Sequence, residues 1–261
     1  MSIFEISLFG ITMAPKWYWA MYALGFLISY LFVKKWGRLS LKELDSLLLY
    51  VFIGVVWGGR IGYILFYNLN YYLSSPGNII RIWEGGMSFH GGLLGVITAV
   101  YLYSKMHKKS FFSLTDTLAI IVPVAIFLWR WGNYINKELL WFSPYSGPLG
   151  IEKNGIVYFP SPLLEMLLEG LFLFLIMVIA AKKFWFFRRS NEERRQHEWL
   201  LSAIFLTGYS TMRLIAEQFR LPDIQVGYLF STHWITLGMM YTLPLLWIGM
   251  FLLYSRTKNI K

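Results

Sequence analysis

Residues 46–66 read SLLLYVFIGVVWGGRIGYILF, an unbroken apolar run with a single charged side chain, Arg60. A helix needs roughly 20 mostly apolar residues to cross a hydrocarbon core about 30 Å thick, and this run is long enough. Comparable runs recur at about 17–33, 88–104, 114–133, 163–181, 199–216 and 234–255. Of the 261 residues, 57% are hydrophobic and 15% charged, whereas soluble domains carry about 25% charged residues. A water-soluble globule is therefore excluded, and so is a disordered chain, which could not stay solvated with this much apolar surface. The expected fold class is all-α: a polytopic membrane helix bundle of about seven transmembrane helices. It forms one membrane-embedded domain over residues 1–261, with short outer segments near 67–87, 134–162 and 217–233.

Orientation follows from the basic residues, because Lys and Arg stay on the cytoplasmic side. Most of them follow the first, third, fifth and seventh runs, as in Lys34, Lys35 and Arg38, Lys105, Lys108 and Lys109, Lys182 and Lys183, and Arg256 and Lys258. The N-terminus is thus expected outside and the C-terminus in the cytoplasm. The formal charge of +10 then serves topology, and nucleic-acid binding is a poor reading. The first run lacks a basic leader, so it reads as a span and not as a cleaved signal peptide.

Several patterns have plain structural readings. Gly54, Gly58 and Gly62, and again Gly91 and Gly95, recur every four residues. Small residues at that spacing let helix backbones approach closely in lipid. His197-Glu198 begins like a zinc-protease motif, but Leu201 stands where the second His is required. With no cysteine in the chain, a thiolate metal site or a resident cysteine nucleophile is excluded, and no cofactor is expected.

Other residues resist a plain reading. An arginine within a span costs on the order of 2.5–3.5 kcal/mol on insertion scales and signals function by default. Arg60, Arg130 and Arg213 all fall in the expected outer half, where His90 and Tyr18 begin their spans. Tyr209, Arg213, Glu217 and Arg220 share one helix face by spacing, and Glu217 can pair with Arg213 or Arg220. Arg130 and Asn133 share another face, with Asn136 and Glu138 just beyond. Glycines surround His90 in the run from Trp83 to Gly92, including Gly91, and can bring backbone close to a ligand at low steric cost. Each residue has a duller reading: a snorkelling arginine, a hydrogen-bonded histidine, a belt tyrosine beside Trp17 and Trp19. Their convergence from separate helices favours a site. Guanidinium forks match phosphate bidentately, so an anionic phospholipid headgroup is the expected ligand, with His90 as candidate base.

Four blocks carry a resemblance. Gly58-Gly59-Arg60-Ile61-Gly62-Tyr63, Gly85-Gly86-Met87-Ser88-Phe89-His90-Gly91-Gly92, Arg130-Trp131-Gly132-Asn133-Tyr134-Ile135-Asn136-Lys137-Glu138, and Tyr209 through Arg213, Glu217 and Arg220 to Pro222-Asp223 occur in that order. Together they resemble the prolipoprotein diacylglyceryl transferase family over nearly the whole chain. The resemblance implies transfer of a diacylglyceryl group from phosphatidylglycerol to the lipobox cysteine of a preprolipoprotein in the bacterial inner membrane. It also implies that Arg130 and Arg213 bind the phosphate, that His90 takes the thiol proton, and that Tyr18, Asn133, Asn136, Glu138, Glu217 and Arg220 shape or support the site. Trp129 and Trp141 stand where the family usually has glycine, and Phe159-Pro160-Ser161-Pro162-Leu163-Leu164-Glu165 lacks a usual His, Gln and Tyr. Two alternatives accompany the transferase reading: a non-catalytic phospholipid-binding relative, and an anion or lipid transporter.

Overall fold

In the computed structural model, the described residues are 6–8, 11–13, 17–36, 39–82, 86–138, 143–186, 198–220, 227–229 and 232–258. They are mostly helical, and a helix lies over each of the seven apolar runs. These are α1 (Trp17–Trp36), α2 (Leu41–Tyr67), α4 (Phe89–Met106), α5 (Phe111–Ile135), α6 (161–186), α7 (Leu200–Glu217) and α8 (Leu237–Lys258). A short helix, α3 (Leu69–Ser74), follows α2 in the expected outer segment. Among the described residues, four segments are long and apolar enough to cross a membrane: Leu41–Tyr67, Phe111–Ile135, Ser161–Phe184 and Leu237–Ser255. Large apolar side chains remain exposed along single helix faces, as at Trp247, Phe251 and Tyr254 of α8, a pattern that suits a lipid-facing surface and not water.

The all-α expectation needs one addition. Two antiparallel hairpins occur, β1 (Ile6–Leu8) with β2 (Ile11–Met13), and β3 (Ile151–Lys153) with β4 (Ile156–Tyr158). The second turns on Asn154 and Gly155, both at positive φ (53° and 74°). That is the Asn-Gly signature of a two-residue hairpin loop, here within the expected outer segment 134–162.

The chain divides into two compact units, Gly37–Thr115, and Met1–Trp36 with Asp116–Lys261. In the first unit α2 and α4 pack through the anticipated glycines. A Cβ on Gly54 would lie 2.5 Å from the Gly95 carbonyl oxygen, and one on Gly62 would lie 2.6 Å from the Gly91 Cα. Ser40 starts α2 with a capping box: its hydroxyl accepts from the Glu43 N–H, and the Glu43 carboxylate accepts from the Ser40 N–H.

In the second unit α5, α6 and α7 share a core of Ala119, Ile120, Leu173, Met177, Ala180, Ala181 and Leu201. Helix α7 lacks a local side-chain cap, since its N-cap position is Trp199 in a left-handed conformation. Asp116 of α5 supplies one from outside: its Oδ1 accepts from the Ser202 N–H (2.7 Å) and from the Ser202 hydroxyl (2.6 Å). Asp116 is fully buried, so its loss removes a cap and strands two donors. Asp116→Ala is expected to lower stability by about 1–3 kcal/mol, read as a fall in melting temperature of the detergent-purified protein.

Candidate functional site

The site is built on α6, which starts with Pro162 in its first turn and winds wide, with π-type turns, over Met166–Phe172. Such stretches are rare and frequent at functional sites. Glu165, Glu169, Leu173, Met177 and Ala181, spaced four apart, are all at 0% exposure. Gly170 lets α6 approach α5, since a Cβ there would stand 2.7 Å from the Phe127 Cα. That contact lies one turn before Arg130 and sets both acids of α6 against α5.

Arg130 and Arg213 come together around these two acids. Arg130 Nη1 lies 2.7 Å from Glu165 Oε2, and its Nη2 donates to Glu169 Oε2 at 3.3 Å. Arg213 Nη1 donates to Glu169 Oε1 at 3.1 Å and lies 3.2 Å from Glu165 Oε2. Its Nη2 pairs with Glu217 Oε2, one turn further along α7. Glu217 Oε1 in turn accepts from the Thr236 hydroxyl at 2.9 Å, and Gly238 leaves room for that carboxylate. Every member is buried. The ion pairs set three carboxylates around two guanidiniums. Buried charges of this kind persist only when paired, so the five side chains fix one another. Tyr209 and Arg220 lie within the electrostatic reach of the cluster, and the Arg130 guanidinium sits 5.2 Å from the Trp129 ring centroid.

Beyond Arg130 the chain stops α5 in a defined way. The Glu138 N–H donates to the Asn133 carbonyl (3.0 Å) and the Lys137 N–H to the Tyr134 carbonyl (3.1 Å), the paired bonds of a Schellman ending. Lys137 occupies its left-handed position at φ 56°, which disfavours a side chain by about 1–2 kcal/mol. Lys137→Gly is therefore expected to raise stability by about 1 kcal/mol, visible as a higher melting temperature. The ending holds Asn133 buried and aims Asn136 inward, with both amide atoms buried and without a hydrogen-bond partner. An orphaned donor and acceptor of this sort calls for an explanation, and a polar ligand supplies one.

Arg60 belongs to the other unit, where main-chain carbonyls take up its donors. Nε donates to the Ile79 carbonyl (2.9 Å), Nη2 to that of Asn78 (2.6 Å) and Nη1 to that of Gly86 (3.4 Å), with the Tyr72 ring 5.0 Å away. This buried guanidinium ties down the segment after α3. Gly91 packs against Gly58 and Gly62, and its N–H donates to the Ser88 hydroxyl that caps α4. His90 and Tyr18 fall on helical positions whose side chains lie outside the described residues, as do Trp83, Glu84, Gly85, Trp141, His197, Pro222 and Asp223 altogether.

The sequence reading thus anticipated Arg130, Arg213 and the Arg213–Glu217 pair but missed Glu165 and Glu169. Two acids one turn apart inside an apolar run were the available signal.

The chain is similar to known proteins along nearly its whole length. A family model described as prolipoprotein diacylglyceryl transferase matches residues 6–255. A phosphatidylglycerol–prolipoprotein diacylglyceryl transferase of Rickettsia bellii is 37% identical over 92% of this chain and 90% of its own length. Proteins of the same name from Nitratidesulfovibrio vulgaris (39% identical, 94% of this chain and 92% of the relative) and Methylococcus capsulatus (39% identical, 91% and 89%) are similar to it along comparable spans.

Proposed function

We propose that this chain, which belongs to the prolipoprotein diacylglyceryl transferase family, moves the diacylglyceryl group of phosphatidylglycerol onto the cysteine thiol of a preprolipoprotein lipobox. The observation that carries the reading at residue level is the meeting of Arg130 and Arg213, from separate helices, in one buried cluster.

The thiol enters on the substrate. An ordinary thiol has a pKa of about 8.5, so a base must accept its proton, and His90 is assigned that part. The thiolate sulfur attacks the glycerol carbon bound to phosphate, a C–S bond forms, and the C–O bond to phosphate breaks. The electron pair leaves with glycerol phosphate. Negative charge grows on the departing group, where the fixed donors of Arg130 and Arg213 stabilise it. Asn133, Asn136, Glu138, Tyr209, Glu217 and Arg220 line and support that region, with Tyr18, Arg60 and Gly91 assigned to substrate binding. The molecule acts as one membrane-embedded transferase in the bacterial cytoplasmic membrane. It crosses seven times, N-terminus outside, with the site toward the outer leaflet, as the distribution of Lys and Arg supports. Surrounding lipids solvate the acyl tails.

The test is to incubate the purified chain with phosphatidylglycerol and a lipobox peptide, then seek the thioether-linked diacylglyceryl mass. Product should appear with wild type. His90→Ala should insert normally yet lose transfer by about 10²–10⁴-fold, and wild-type turnover in that variant would remove His90 as the base. Lipid binding without product would instead favour a non-catalytic relative.

A further inference from the structure

Each guanidinium of the cluster is already occupied. Arg130 gives Nη1 to Glu165 and Nη2 to Glu169, which leaves its Nε buried without a hydrogen-bond partner. Arg213 gives Nη1 to both acids and Nη2 to Glu217. A phosphodiester entering this arrangement would bring a further negative charge to guanidiniums that carboxylates already occupy, in a buried, low-dielectric site, which is strongly disfavoured. One carboxylate must therefore release its guanidinium contacts for the headgroup to be held.

The two acids of α6 are not equivalent. Glu169 makes a hydrogen bond with each oxygen, Oε2 to Arg130 and Oε1 to Arg213, and so bridges α5 and α7. Glu165 contacts both guanidiniums through Oε2 at ion-pair distance, but neither of its oxygens meets hydrogen-bond geometry. Glu217 is anchored independently by Thr236.

We propose that Glu165 is an internal stand-in for the lipid phosphate: it holds the guanidinium pair when no headgroup is bound and yields that place to the anion, while Glu169 remains as the strut that keeps Arg130 and Arg213 in register. This deepens the transferase reading and rests on it for the identity of the anion. Glu165 thereby sets affinity for an anionic headgroup, and Glu169 is a positioning residue for the transfer step.

The experiment compares Glu165→Gln and Glu169→Gln in the full chain. Phosphatidylglycerol binding is titrated in mixed micelles with phosphatidylcholine as the zwitterionic control, alongside KM and kcat for thioether formation. Either change leaves two carboxylates in contact with the two guanidiniums, so neither arginine loses all of its partners. Removing one competing charge-assisted contact should tighten phosphatidylglycerol binding by Glu165→Gln about tenfold and lower KM, with phosphatidylcholine unaffected. Glu169→Gln should lower kcat about tenfold or more without that gain in affinity. Glu165→Asp, which keeps the charge and shortens its reach, should tighten binding to a lesser degree and provides a second readout should the amide variant fail to fold. Unchanged or weaker binding in both Glu165 variants, or equal tightening by Glu169→Gln, would overturn the proposal. Wild type that binds phosphatidylglycerol but forms no thioether would sink the transferase reading and leave this contrast in binding to be decided by itself.

Discussion

Arg213→Ala is expected to abolish thioether formation and to lower stability by about 3–5 kcal/mol, the range for removing one partner of a buried pair. The size follows from what remains. Arg213 contacts Glu165, Glu169 and Glu217, so its truncation takes a shared guanidinium from three buried carboxylates at once. No side chain can turn to water from such a position without breaking α6 or α7 away from the core. Arg213→Lys separates the two effects. An ammonium restores the charge, and most of the stability should return. It cannot supply the planar fork that serves two acids through one nitrogen and a third through the other, so transfer should stay depressed about 10²–10³-fold, the scale for losing an aligned donor to a developing oxyanion. Melting curves in detergent and product mass together check both halves. Wild-type turnover in Arg213→Lys would refute bidentate headgroup binding.

The second large effect is expected at the seam between α2 and α4. A Cβ on Gly95 would collide with the Gly54 carbonyl and lie 2.9 Å from the Gly58 Cα. These are backbone atoms, which cannot rotate aside, so even Gly95→Ala must push the two helices apart. Overpacking typically costs about 1–3 kcal/mol, occasionally more, and a backbone-to-backbone clash belongs at the upper end. Gly92→Ala is the internal control. Three residues earlier on the same helix, its Cβ would meet only the Val55 carbonyl at an ordinary 3.7 Å. There the better helix former should be neutral or stabilising by up to about 1 kcal/mol. The yield of monodisperse protein after extraction distinguishes the pair. Equal behaviour of the two variants would mean that the glycine seam does not hold the helices together.

The contrast between those two glycines shows what was legible from sequence. A four-residue repeat of glycines announces a close helix contact because only one physical arrangement rewards it. The face carrying Arg213 and Glu217 was legible for the same reason, since helical spacing puts them within reach whatever packs alongside. Arg60 was harder to read. Its place in an apolar run was plain, but its acceptors among the described residues include the main-chain carbonyls of Asn78, Ile79 and Gly86, and carbonyls leave no mark in a sequence. Glu165 and Glu169 lie between these cases. Their spacing was visible, but the partners come from α5 and α7, brought near by a backbone approach at Gly170 that periodicity alone does not reveal. The Asn154-Gly155 turn carries a plain local signature, but its strands, three residues each, are too short to show an alternating pattern.

The wide winding of α6 explains how one helix serves both a polar centre and an oily core. In an ordinary α-helix a step of four residues overshoots a full circle by about 40°, so five positions at that interval would spiral away from any single neighbour. Turns closed by longer i→i+5 bonds rotate less per residue and take the overshoot back. Over Met166–Phe172 this keeps Glu165, Glu169 and Leu173 toward one side, and Met177 and Ala181 continue the enclosed stripe at ordinary pitch. Turns this wide hold one residue more than ordinary pitch would, so deleting one between Glu169 and Leu173 lets the segment tighten, and the closer winding returns the roughly 100° lost with the residue. The wide turns thus carry an extra residue without turning the acids of this helix away from the side on which its oily stripe is enclosed.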